Sequence, residues 1–153
     1  MMTEIKRDKY LNQLILRKHN GMIKVITGIR RCGKSYLMNT LFYNYLIETG
    51  IDRSHIIRFA FDSADDLALI GEDIIELKKD NKNVDPNKFM NYINTLIKDN
   101  DMYYFLLDEI QNLGNFEAVL NGYLRHNNYD VYATGSNSKF LSQDIITEFR
   151  GRS

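Results

Sequence analysis

Residues 28–35 read Gly-Ile-Arg-Arg-Cys-Gly-Lys-Ser, a full match to the pattern G-x-x-x-x-G-K-[ST], in which a glycine-rich turn joins a strand to a helix and closes around phosphate. Both flanks suit it. Met22-Ile23-Lys24-Val25-Ile26-Thr27 is an apolar, β-branched run, and Ser35-Tyr36-Leu37-Met38-Asn39-Thr40-Leu41-Phe42 has helical spacing. Gly28 and Gly33 permit backbone conformations closed to other residues. The N–H groups of residues 30–35 can then turn inward as an anion nest at the positive end of a helix. Lys34 brings a compact charge to the β- and γ-phosphates, and the Ser35 hydroxyl is placed to ligate Mg²⁺. The side chains of Arg30, Arg31 and Cys32 are not set by this chemistry. Either arginine reaches phosphate or stays solvated, and Cys32 offers its backbone N–H. The candidate nucleotide contacts are Gly28, Arg31, Cys32, Gly33, Lys34, Ser35 and Tyr36.

The rest of the chain alternates between helical and strand patterns. Ile5, Tyr10, Leu11, Leu14 and Ile15 place an amphipathic helix over 4–18, ended by Asn20-Gly21. A strand at 22–27, the glycine loop and a helix to Thr49-Gly50 follow. Leu37, Leu41, Tyr45 and Leu46 form the inward stripe of that helix. Ile56 to Phe61 reads as a second strand, and 65–79 as one weakly patterned helix. Asp85-Pro86 starts a helix carrying Phe89, Tyr92, Ile93, Leu96 and Ile97. Met102 to Leu107 is an apolar run too short for a helix, as expected of a strand buried on both faces. Asn115–Arg125 is helical, Tyr129–Thr134 is a fourth strand, and Ser138–Glu148 reads as a short helix or turn region. This alternation predicts an α/β fold, a parallel sheet of about four strands with helices on both faces.

The buried run ends in Asp108-Glu109. Asp108 is expected to hold Mg²⁺ beside Ser35. Glu109 is expected to face the γ-phosphate and activate water as general base. A third polar element, Thr134-Gly135-Ser136-Asn137, lies at the end of the fourth strand, where ligands sit in parallel sheets. Asn137 or Ser136 can touch γ-phosphate and water there; Ser136 or Ser138 equally suits a helix cap. Arg150 and Arg152, in Phe149-Arg150-Gly151-Arg152, are candidates to neutralise transition-state charge, with surface charge as the alternative.

Composition narrows the partners. The 153 residues carry no formal net charge, so no basic field holds nucleic acid or an anionic membrane. No apolar run is long enough to span a bilayer and no signal peptide begins the chain. One cysteine excludes an internal disulfide and suits a reducing, cytoplasmic setting. His19, His55 and His126 lack metal-ligand spacing.

Taken in order, Gly-Ile-Arg-Arg-Cys-Gly-Lys-Ser, Phe-Leu-Leu-Asp-Glu-Ile-Gln, Thr-Gly-Ser-Asn and Phe-Arg-Gly-Arg make the chain resemble AAA-type P-loop ATPases of bacteria and archaea that usually carry an uncharacterised C-terminal domain. The resemblance covers nearly all of residues 1–153, read as a single domain. It implies ATP and Mg²⁺ as cofactors, Lys34 and Ser35 in Walker A roles, Asp108 and Glu109 in Walker B roles, and Ser136 or Asn137 near the sensor position. It also implies a five-stranded sheet ordered 5-1-4-3-2, of which four strands are visible. The fifth strand, the helical lid and the C-terminal effector domain are expected in a longer parent protein. Without that strand the 22–27 edge is expected to be open and to invite a second chain, including another copy.

The leading function is therefore ATP binding and hydrolysis that drives or gates an attached effector. The alternative is a slow nucleotide-dependent switch for partner assembly. A small-molecule kinase shares the loop, but only the isolated Arg53 and Arg58 lie between the loop and Asp108.

Overall fold

Strand β3, Tyr103–Asp108, is buried at every position and is an inner strand of the sheet. The computed structural model describes residues 4–27, 31–136 and 146–149, and among these the side chains other than those of residues 4–7, 31, 32, 146, 147 and 149. β1 (Ile23–Ile26), β2 (Ile56–Ala60), β3 and β4 (Tyr129–Thr134) run parallel in the order β2-β3-β4-β1. This is the 1-4-3-2 part of the expected sheet.

Side chains alternate between two cores, as the pleat requires. Ile23, Val25, Ile57, Phe59, Phe105, Leu107, Val131 and Ala133 face one side. They pack against α4 (Ala64–Leu69), α6 (Pro86–Leu96) and α7 (Phe116–Leu124) through Leu67, Phe89, Ile93, Val119 and Leu120. Ile26, Ile56, Tyr104, Leu106 and Tyr132 face the other side. There they meet Leu14 of α1 (Glu4–Leu16) and Leu37, Met38, Phe42 and Leu46. The last four belong to a continuous helical stretch: α2 (Arg31–Tyr36), a π-helical segment (Leu37–Phe42) and α3 (Tyr43–Glu48). The predicted inward stripes of the second and fourth long helices are thus in or against the core, as are Tyr10, Leu11, Leu14 and Ile15 of the first.

Two expectations change. The single helix over 65–79 is two, α4 and α5 (Ile74–Lys79). Gly71, at φ +82, ends the first, and the Asp73 carboxylate caps the second by accepting from the N–H groups of Ile75 and Glu76. The other change concerns the sheet edge. Residues 146–148, expected in a helix or turn, form with Phe149 the strand β5 (Ile146–Phe149), antiparallel to β1 with Ile23 opposite Phe149 and Ile26 opposite Ile146. The β1 edge expected to be open is therefore paired. Glu148 fastens it, bonded to the Asn20 amide and 3.3 Å from Arg17 Nε.

The turn after β3 is tied to the chain ahead of α6. Val84 N–H donates to Asn112 O at 2.8 Å and Gly114 N–H to Val84 O at 2.9 Å. A Cβ on Gly114 would lie 3.0 Å from that Val84 carbonyl oxygen. Gly114→Ala is expected to lower stability by about 1–3 kcal/mol through overpacking, read as a lower melting temperature.

Candidate functional site

Parallel strands deliver their last residues to one end of the sheet, and alternation decides which of those residues share a face. Asp108 and Thr134 are the final residues of neighbouring strands and point to the face covered by α2. α2 is the next described element after β1, and its Lys34 and Ser35 lie over the same strand ends.

Lys34 is 8% exposed and its Nζ donates to Gly135 O at 3.0 Å. Gly135 N–H in turn donates to Ile26 O at 3.1 Å, locking the end of β4 to the end of β1. Ser35 Oγ donates to Asp108 Oδ2 at 3.0 Å and receives Asn39 Nδ2 at 3.3 Å. The other oxygen of Asp108 accepts from the Thr134 hydroxyl, which itself accepts Glu109 N–H at 2.9 Å. Glu109 sits in the left-handed region, φ 56 and ψ 54. Its Oε1 accepts from Gln111 Nε2 at 2.6 Å. Asp62, just beyond β2, has its carboxyl raised above the usual range, first by loss of surrounding water and then by the charges of Asp108 and Glu109.

The structure thus brings Lys34, Ser35, Asp108 and Glu109 to one end of the sheet. Gly33 lies half-buried within α2, and Tyr36 closes that helix at 40% exposure. Arg31 and Cys32 supply the first backbone of α2, with their side chains outside the description. Gly28, Asn137, Arg150 and Arg152 lie outside the described residues. A hydroxyl and a carboxylate are hard oxygen donors, and three acids crowd the same strand ends; this set fits Mg²⁺ rather than a softer transition metal.

Sequence reasoning does not single out Thr134, Gln111, Asn39 or Asp62. A usable signal exists for Thr134. Counted from the ends of two adjacent parallel strands, it and Asp108 share parity and level. At the opposite end of the sheet, His55 Nε2 stands 2.9 Å from Asp99 Oδ2 and 4.0 Å from Asp101 Oδ2, a grouping that sequence spacing does not reveal.

Comparison with known proteins gives a family and a shared fold. Residues 20–153 match a family model described as an AAA domain. An uncharacterised protein of Haemophilus influenzae is 33% identical over 149 residues, which cover 97% of this chain and 34% of that protein. An uncharacterised protein of Methanocaldococcus jannaschii is 29% identical over 152 residues, 96% of this chain and 29% of that one. The chain therefore spans about a third of the length of the curated relatives it matches. A chain from the structure of Drosophila ORC bound to AT-rich DNA and Cdc6 superposes with a TM-score of 0.51 at 14% identity, covering 90% of this chain and 49% of that one. That likeness shows a shared fold. Among the described residues, no helix is long and apolar enough to cross a membrane.

Proposed function

The chain belongs to the AAA domain family, and on that premise we propose that it binds ATP and hydrolyses the γ-phosphate to drive or gate an effector. The effector is either a partner or the remainder of a longer protein such as its relatives. The observation that carries this reading is the convergence of Lys34, Ser35, Asp108 and Glu109 on one end of the sheet.

Lys34 releases Gly135 O and places its charge on the β- and γ-phosphates. Ser35 and Asp108 are the residues that would hold Mg²⁺; when bound, the ion supplies positive charge to the phosphate oxygens. With its proton committed to Asp108, Ser35 keeps a lone pair for that ion. Glu109 orients a water and takes its proton as the water oxygen bonds to the γ-phosphorus. The bond from that phosphorus to the β–γ bridging oxygen breaks, and ADP leaves with the electron pair. Arg150 or Arg152, Ser136 or Asn137, and contacts from a second copy are the candidates to complete the site. Cytoplasmic placement belongs to the same reading. A slow switch is the second reading, favoured by the Gln111 bond that restrains the Glu109 carboxylate.

The test is steady-state phosphate release with labelled γ-phosphate. The label is expected in inorganic phosphate, with turnover abolished by EDTA and restored by Mg²⁺. Label carried to an acceptor would make the protein a kinase. ATP binding with no release would leave the switch.

A further inference from the structure

We infer that Thr134 is a positioning residue that sets the metal-holding Asp108 and the base Glu109 in one fixed relation. The inference rests on the ATPase reading above and names how its site is kept in order.

The Thr134 side chain is wholly buried at the end of β4. Its hydroxyl has one proton. Glu109 N–H can only donate, so Thr134 Oγ1 accepts there at 2.9 Å. The single proton is therefore committed to Asp108 Oδ1. Ser35 holds the other oxygen of Asp108 at 3.0 Å. The carboxylate is gripped from both sides, by the helix after the loop and by β4, and cannot rotate without breaking one hydroxyl bond.

The same hydroxyl controls the next residue. Glu109 adopts a left-handed backbone, which a residue with a side chain resists. Its N–H is pinned by Thr134, and its carbonyl accepts from Asn112 N–H at 3.1 Å. Without the Thr134 acceptor, the partly buried N–H loses its partner and the turn is free to relax. The carboxylate that activates water would swing with it. One hydroxyl thus couples two groups that must act on the same γ-phosphate. Thr134 need not touch the nucleotide to do this.

Thr134→Val keeps the shape and removes the hydroxyl; Thr134→Ser keeps the hydroxyl. With Val, kcat for phosphate release is expected to fall about 10–100-fold, the range for losing a supporting contact to a metal site. The Mg²⁺ concentration for half-maximal rate is expected to rise in parallel, while ATP affinity in EDTA changes little and the melting temperature falls by about a few degrees, because the Glu109 N–H loses its partner. Ser is expected to restore kcat to within a few-fold of the parent. A second readout does not need turnover: the ratio of ATP dissociation constants in EDTA and in Mg²⁺ is expected to shrink in Val and recover in Ser. Val behaving as the parent in both readouts, or Ser damaged as much as Val, overturns the inference. Failure of the ATPase reading looks different, because the parent itself then releases no phosphate while the affinity ratio still reports on Thr134.

Discussion

Glu109→Gln is expected to lower steady-state phosphate release by about 10²–10⁴-fold, the range for removing a general base, with ATP affinity nearly unchanged. The substitution is nearly isosteric. The amide oxygen of a glutamine at 109 can still accept from Gln111 Nε2, and the main chain keeps its N–H bond to Thr134. What disappears is the ability to take a proton from water. In the proposed reading phosphate and metal are held elsewhere, by Lys34, Ser35 and Asp108, so binding survives. Lys34→Ala is the contrasting control: it removes a charge from the phosphate site, and binding itself is expected to weaken. An unaltered rate in Glu109→Gln, with the parent active, would mean that another group activates the water. A Lys34→Ala protein that bound ATP as tightly as the parent would mean that the nucleotide sits elsewhere. Single-turnover phosphate release and equilibrium binding of a fluorescent ATP analogue, run on the three proteins, separate these outcomes.

How much of this site could be read from the chain depends on whether the interaction is local. The placement of Lys34 and Ser35 over the strand ends is legible because strand, glycine motif, lysine and hydroxyl follow one another in sequence. Asp108 is legible because an acid directly after five buried apolar residues can only sit at a strand end. Tyr129–Thr134 was readable as a strand to the residue, and it occupies those bounds. The illegible features are those set by register between strands. Thr134 matters through its level beside Asp108, which depends on how β3 and β4 align. β5 is short and half polar, and its strand state comes from pairing with β1 and from the Glu148 bonds to Asn20 and Arg17. The break between α4 and α5 turns on Gly71 and the Asp73 cap, both visible in the sequence but outweighed there by the apolar residues around them. Lys24 is a charge inside an otherwise apolar strand, and its partner Asp130 lies on another strand, far away in sequence.

Lys24 leads to the largest stability effect expected of this chain. Its side chain is fully buried under the α1 side of the sheet, where burial pushes the ammonium pKa down and Asp130 pushes it back up. Asp130, on the neighbouring strand β4, lies 2.7 Å from Lys24 Nζ. It also accepts from Tyr132 OH at 2.7 Å and His19 N–H at 3.0 Å. Lys24 Nζ reaches Asn20 Oδ1 at 3.2 Å and stands 4.5 Å from the centre of the Tyr132 ring. These contacts join the chain after α1 to β1 and β4, the two strands whose far ends carry the glycine loop and Thr134. Asp130→Asn is expected to destabilise the fold by about 3–5 kcal/mol, because it leaves a buried ammonium facing an amide in place of its counter-charge. For a domain of this size, that loss lowers the melting temperature by about 6–20 °C. Adding Lys24→Met to Asp130→Asn removes the stranded charge, and most of the loss is expected to return; the remaining amide can still accept from Tyr132 or His19. The cycle of two single variants and the double one, followed by urea denaturation, isolates the pair. If Asp130→Asn melted with the parent, water would have to reach Lys24 in solution, and the anchoring of β1 to β4 would rest on apolar contacts alone.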